Sequence, residues 1–318
     1  MNFVVKKIVM DMIAITCALA IVVPAALADS YTYDNAGRLI SIEYSDGSSA
    51  TYTYDAAGNL LNRTVNAVAA GPLAAALLPT SRSGVIGNPV SAFVTLINAG
   101  QGNAVSCSIS LNSSLNATFS YQTTNTANAL IGTKNTPANI PAGGFQSYLV
   151  TVTPNEALPS SQVGFDYDCT NTDSAGVLVG LNTLLLSASA TPTPDVIALA
   201  ATTSNDGIIA LPGNDGASAF AVATVNVGVV GSITARAVSN ASINLLVCET
   251  DPNTSDCIDP ASATVTTSIA AQATPTFGIF VFATGEVPFN PVDNRVFVEF
   301  VDGGGVVRGS TSVAVRTD

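Results

Sequence analysis

SAFVTLINAG, residues 91–100, places β-branched and aromatic residues in period-2 alternation and closes on Asn-x-Gly. Alternation of that kind reads as a strand, and the Asn-x-Gly as the turn that ends it. SAFAVATVNVG, residues 218–228, begins and ends alike, with one extra residue. The same signature recurs on either side of each. AVSCSISL (104–111), QSYLVTVT (146–153) and QVGFDYDC (162–169) belong to the first group. ASINLLVCE (241–249), TFGIFVFAT (276–284), NRVFVEFV (294–301) and VVRGSTSVAV (306–315) belong to the second. In QVGFDYDC, Val163, Phe165, Tyr167 and Cys169 fall on one face and Asp166 and Asp168 on the other. The turn Asp302-Gly-Gly-Gly305 suits a hairpin. No segment keeps a 3.6-residue period over the length of a helix. Two runs of about seven to nine strands, each in roughly 120 residues, are what two β-sandwiches need. The expectation is all-β, with sandwiches over 72–189 and 196–318. The Thr-Pro alternation at 190–195 reads as an extended spacer holding them apart.

Upstream lies a different pattern. YTYDNAGRL (31–39) and YTYDAAGNL (52–60) repeat with a 21-residue period, from Tyr33 to Tyr54, Gly37 to Gly58 and Leu39 to Leu60. Asp34 and Asp55 are placed to accept the N–H groups of their own turns, and Gly37 and Gly58 to take a positive φ. Ser45-Asp46-Gly47-Ser48 supplies the turn between the copies. Residues 29–65 therefore read as a meander of four short strands. Five of the eight tyrosines lie here: Tyr31, Tyr33, Tyr44, Tyr52 and Tyr54. They read as a cross-strand aromatic ladder holding the sheet together, or as a platform for sugar rings or another β surface.

Tyr-Asp-x-x-Gly-x-Leu at this period resembles the YD repeats of Rhs-type and teneurin-like proteins. In that family many copies wind into a β-shell, some enclosing a toxin, and the repeats have been associated with carbohydrate binding. Two copies do not close a shell. The apolar strand followed by Asn-x-Gly resembles the opening strands of bacterial cell-surface immunoglobulin-like modules of the CARDB type. That resemblance implies a seven-stranded sandwich serving as a spacer or adhesive module. Tyr167-Asp168-Cys169 resembles the Tyr-x-Cys of the immunoglobulin F strand.

Residues 1–28 read as a cleaved secretory leader. Lys6 and Lys7 supply the charge, Met12 to Val23 the apolar run, and Ala26-Leu27-Ala28 the cleavage site. With the leader removed, Lys134 is the only lysine left. The net charge of the whole chain, -12, repels phosphate backbones and anionic lipid, which argues against nucleic-acid and membrane-surface partners. Four cysteines remain beyond the leader and allow three pairings. Cys107–Cys169 and Cys248–Cys257 are expected, because each pair lies within one candidate domain. By loop entropy they contribute about 4 and about 3 kcal/mol.

With no histidine anywhere, Ser-His and Cys-His nucleophile pairs and ordinary zinc hydrolases are excluded. No catalytic residues are expected. Asp166 and Asp168 are the nearest pair for a carboxylate hydrolase, but i,i+2 carboxylates on an exposed strand face are ordinarily solvated. Asp251, Asn253 and Asp256 form a loose Ca²⁺ candidate, lacking the Gly and Glu of an EF-hand loop; a polar hairpin loop pinned by a disulfide is the favoured account of them. No other cofactor is expected. The expected function is that of an exported, non-enzymatic modular protein at a cell surface or outside the cell. Its role would be structural or adhesive, with the YD unit contacting a glycan or a protein. The alternatives are an accessory or remnant of an Rhs-type toxin-delivery system and a carboxylate-based polysaccharide hydrolase.

Overall fold

The computed structural model describes residues 29–44, 48–66 and 71–318. The leader reading of residues 1–28 and the turn residues 45–47 lie outside the described residues. Every regular element described is a strand, so the protein is all-β. The chain divides into two compact units, Met1–Val68 and Ala69–Asp318.

The first unit holds β1 (Ser30–Tyr33), β2 (Leu39–Glu43), β3 (Ser49–Tyr54) and β4 (Leu60–Asn66), paired in that order as an antiparallel meander.

The second unit begins with β5 (Leu73–Leu78), β6 (Ser81–Val85), β7 (Val90–Asn98), β8 (Ala104–Leu111) and β9 (Ala117–Thr124). It continues with β10 (Ala138–Ile140), β11 (Phe145–Pro154), β12 (Leu158–Val163), β13 (Phe165–Asp168) and β14 (Leu184–Ser189). Then come β15 (Val196–Ala201), β16 (Ile208–Leu211), β17 (Ala217–Asn226), β18 (Gly231–Val238) and β19 (Ile243–Thr250). The last are β20 (Thr264–Ile269), β21 (Thr276–Ala283), β22 (Arg295–Asp302) and β23 (Val307–Thr317).

These strands build the same sandwich twice. In the first, sheet β5-β7-β11-β9 faces β6-β14-β12 and β13-β8-β10. In the second, sheet β15-β17-β21-β19 faces β16-β23-β22-β18-β20. The orders coincide once β12 and β13, separated only by Gly164, are matched to the unbroken β22. Even the odd strand is repeated: β6 runs parallel to β14, as β16 does to β23. Each sandwich closes over its own core, with Val94, Leu96, Tyr148 and Phe165 in one and Val222, Phe277, Ile279 and Phe300 in the other. Full burial of side chains like these contributes roughly 1.5–3 kcal/mol apiece.

The Asn-x-Gly that closes the opening stretch has a physical cause. Asn98 is fully buried at the end of β7; its Nδ2 donates to the carbonyls of Gly102 (2.8 Å), Ile140 (3.2 Å) and Pro141 (3.1 Å). Its Oδ1 accepts the Gly100 N–H at 3.0 Å. Asn226 repeats this on Val229, Ile269 and Ala270, with Oδ1 accepting from Gly228 and Asp195. A Cβ on residue 228 would collide with the Thr193 carbonyl oxygen, so the second glycine is required. Register shows where the likeness of the two stretches ends. Leu73 pairs Asn98 as Val196 pairs Asn226, so counting back matches Ala92, not Phe93, to Phe220. Phe220 points into its core, 4 % exposed; Phe93 points out, 38 % exposed. A one-residue slip reverses the face.

The Thr-Pro segment does not hold the sandwiches apart. They meet along a polar joint in which side-chain hydroxyls of the first close a strand edge of the second. β16 covers only Ala314 to Thr317 of β23, leaving its first half without a partner strand on that side. Thr80 and Ser81 donate to the Ser310 carbonyl at 3.0 and 3.1 Å, and Ser81 Oγ accepts the Ser310 N–H at 2.6 Å. Ser160 Oγ accepts the Val307 N–H at 2.9 Å, and Ser83 donates to the Arg308 carbonyl at 3.4 Å. A buried backbone group left unpaired is costly, and these hydroxyls do what a strand would do.

Two ion pairs complete the joint. Arg82 holds Asp195 through Nε (3.0 Å) and Nη2 (2.9 Å), while the Ser83 N–H donates to the other carboxylate oxygen at 2.9 Å. Arg308 binds Asp302 at 2.6 Å and reaches the hydroxyls of Ser187, Ser189 and Thr193. Burial pushes the Asp195 carboxyl above its ordinary pKa, against the opposing pull of Arg82 and the Ser83 N–H.

Both expected disulfides are present. Cys107 on β8 bonds Cys169, one residue past β13, so the bridge joins neighbouring strands of one sheet. Cys248 on β19 bonds Cys257 and pins the loop between them.

Candidate functional site

The meander is built on two matching turns. Asp34 Oδ1 accepts the N–H groups of Ala36 (3.0 Å) and Arg38 (2.9 Å), and Gly37 takes a φ of 76°. Asp55 Oδ1 accepts the Asn59 N–H at 2.8 Å, and Gly58 takes a φ of 88°. At positive φ a side chain is strained, which accounts for glycine in both copies. The Asp34 carboxyl is held below its ordinary pKa, first by the Arg38 N–H and then by its guanidinium. The Asp55 carboxyl is lowered first by the Asn59 side-chain amide and then by the Asn59 N–H.

Position four after each aspartate carries a role the repeat pattern did not single out. Arg38 Nε donates to Asp34 Oδ2 at 2.7 Å, while Nη1 reaches the Asp55 carbonyl at 3.2 Å. Its guanidinium also lies 4.9 Å from the centre of the Tyr54 ring. One side chain therefore ties the first turn to the second. Asn59 is too short to extend such a link and donates only to its own Asp55, at 2.9 Å. The available signal was a cation at i+4 from a turn aspartate, where the fork of an arginine reaches a carboxylate.

The five tyrosines separate into two groups. Tyr31, Ile42, Ala50 and Val65 form a cross-strand row, beside which Tyr52 faces Arg63. Ile42 and Ala50 are buried at the middle of that row. Tyr52 and Tyr54 are half-buried and each has a guanidinium over its ring; the Tyr54 hydroxyl donates to the Leu39 carbonyl at 2.8 Å. Tyr44 is half-buried. Tyr31 and Tyr33, on outer strand β1, are 52 % and 57 % exposed. On the opposite outer strand, β4, Leu60, Leu61 and Val65 are exposed as well. The inner tyrosines are half-buried, and the most accessible tyrosines of the meander are the β1 pair.

The remaining candidates do not assemble into a site. Asp251 Oδ1 accepts from the backbone (2.7 Å) and side chain (3.1 Å) of Asn253, and that N–H is the main cause of its lowered pKa. Asp251 thus caps its own turn through Oδ1. No group of three or more acidic, cysteine or histidine side chains suited to a metal occurs among the described residues. Asp166 accepts from Asn112 at 2.7 Å and Asp168 from Ser174 at 3.3 Å, so each carboxylate serves a neighbouring loop.

The RHS Repeat family matches residues 30–68, the meander just described. No curated protein sequence matches the chain. Among solved structures, a family 123 glycoside hydrolase from Clostridium perfringens is 13 % identical over 37 % of this chain and 27 % of its own, with a TM-score of 0.27. Domains 4–9 of the surface layer protein SbsC are 13 % identical over 91 % of this chain and 45 % of theirs, with a TM-score of 0.24. The CupB6 tip adhesin from Pseudomonas aeruginosa is 10 % identical over 73 % of this chain and 91 % of its own, with a TM-score of 0.21. Likeness this remote carries nothing about what the chain does, and the chain spans only about a quarter of the hydrolase's length. Residues 30–68 are what the chain shares with a known family: they form an RHS-type repeat unit.

Proposed function

We propose that this is an exported, non-enzymatic protein of the cell surface or extracellular space, whose RHS-type unit makes the contact and whose paired sandwiches carry it. The observation behind this reading is the β1 tyrosine pair, half exposed on a frame locked by Asp34, Arg38 and Asp55. Aromatic surface held rigid in this way loses little entropy on binding a glycan or a protein surface. The disulfides and the RHS match support an extracellular or surface location. The sandwiches are read as immunoglobulin-like modules of the CARDB type, joined into a stiff spacer. The absence of histidine and the engaged aspartates favour a binding role over catalysis.

The test is a glycan array and a cell-adhesion assay on the intact protein, its Tyr31→Ala/Tyr33→Ala variant and its Tyr54→Ala variant. The β1 variant should lose adhesion at unchanged melting temperature, whereas Tyr54→Ala should mainly lower stability. Adhesion unaltered by the β1 variant would sink the contact role. The outer strands β1 and β4, each with a partner strand on one side only among the described residues, also suit docking onto a longer RHS array. Co-purification with such an array would favour that second reading.

A further inference from the structure

One end of the first sandwich carries a cleft that the RHS unit does not account for. Past β9 the chain folds back on itself. Asn125 Oδ1 accepts the N–H groups of Ala127 and Ala129, both at 3.0 Å, and Thr124 bridges to Leu130. Thr123 Oγ1 donates to the Ile131 carbonyl (2.8 Å), and Gln122 Nε2 donates to that of Gly132 (2.9 Å). This fixed wall faces the start of β11, where Gln146 Nε2 donates to the Thr124 carbonyl at 3.0 Å. Between them lies a cavity of about 300 Å³, lined by Thr124, Asn125, Thr126, Ile131, Phe145, Gln146 and Ser147. That volume is at the lower bound for small-ligand sites.

Three properties specify an occupant. Phe145 is 58 % exposed at the rim, and an exposed aromatic on a rigid strand offers a stacking face. Thr126, also exposed, offers a hydroxyl at the cleft. The lining is otherwise amide and hydroxyl, with no charged side chain. Together they call for a neutral ligand with one C–H face and a rim of hydroxyls.

We propose that this cleft binds a neutral sugar residue of a glycan. Phe145 stacks on the C–H face, while Gln146 and Thr126 hydrogen-bond the ring hydroxyls. The site is separate from the tyrosines of the RHS unit and stands whether or not they bind anything.

The test is an amide chemical-shift titration of the purified protein with maltohexaose, cellohexaose, mannohexaose and chitohexaose, each to ~10 mM, since a single-sugar site binds weakly. At least one should give saturable shifts at residues 124–126, 131 and 145–147. Phe145→Ala should weaken binding about tenfold. Thr126→Val keeps the shape of the side chain; it should weaken binding at unchanged melting temperature, because its hydroxyl is exposed. Tyr31→Ala/Tyr33→Ala should leave the titration unchanged. Silence with all four sugars overturns the proposal. So does a response only to an extended neutral peptide such as acetyl-Thr-Val-Thr-Val-amide, or binding unaffected by Phe145→Ala.

Discussion

The two sandwiches share strand order, a parallel edge strand and a buried asparagine corner, yet place their outward aromatic side chains differently. On β7 and β11 the outward positions include Phe93, Thr95, Ile97, Phe145 and Ser147. On the matching β17 they include Ala219, Ala221 and Ala223, and the outward aromatics stand on β21 instead, where Phe280 and Phe282 pair with Ala219 and Ala217. The interior repeats because strand order and the asparagine corner must close the same way each time. The outer faces bear no such demand, and their aromatic side chains stand at different positions in the two copies. Surface chemistry is therefore where the two copies can differ in function.

The largest test of that comparison is at the joint. Asp195→Ala should cost about 3–5 kcal/mol, because Arg82 is left buried without its partner. Calorimetry should then show two sandwich transitions where the intact protein shows one. A single transition at the original temperature would mean the sandwiches are independent modules after all. Next come the corners. Asn98→Ala and Asn226→Ala each strip several buried backbone groups of partners and should cost roughly 2–3 kcal/mol in denaturant unfolding. Unequal costs would break the equivalence of the two copies.

The smallest effect is pH-dependent and separates the RHS unit from the sandwiches. Asp34 and Asp55 have lowered pKa values, so their contribution is present above the unfolded carboxylate value and lost as pH falls through the folded one. Asp195 is raised, so its contribution is present below the unfolded value and lost as pH rises through the folded one. Acidification below about pH 4 should loosen the turn amides of Gly37 and Gly58 in hydrogen exchange before those beside Asp195. The reverse order would refute this assignment.

Much of this was legible in the sequence. Alternation in QVGFDYDC placed Val163, Phe165, Tyr167 and Cys169 inward, and all four are buried. The two YD turns follow from Asp and Gly at fixed spacing, because both act within their own loop. Features that depend on distant partners were not legible. The two opening strands begin and end alike, but register is set by the asparagine end, so Phe93 points out and Phe220 in. The spacer reading of the Thr-Pro segment failed for a related reason. Serines and threonines scattered over β6, β12 and β14 carry no sign, in a single chain, that they meet one backbone edge. Arg38 was hidden because its second partner, Asp55, belongs to the next repeat.

That backbone edge has a kinetic consequence. Ser81 meets Ser310 across 229 residues of chain, so this contact is among the most costly in loop entropy that the second unit makes. The hydroxyls of β6 must remain hydrated until β23 is in place. Joint formation is thus a late folding step, and each sandwich has to stand for a time on its own core and its own disulfide.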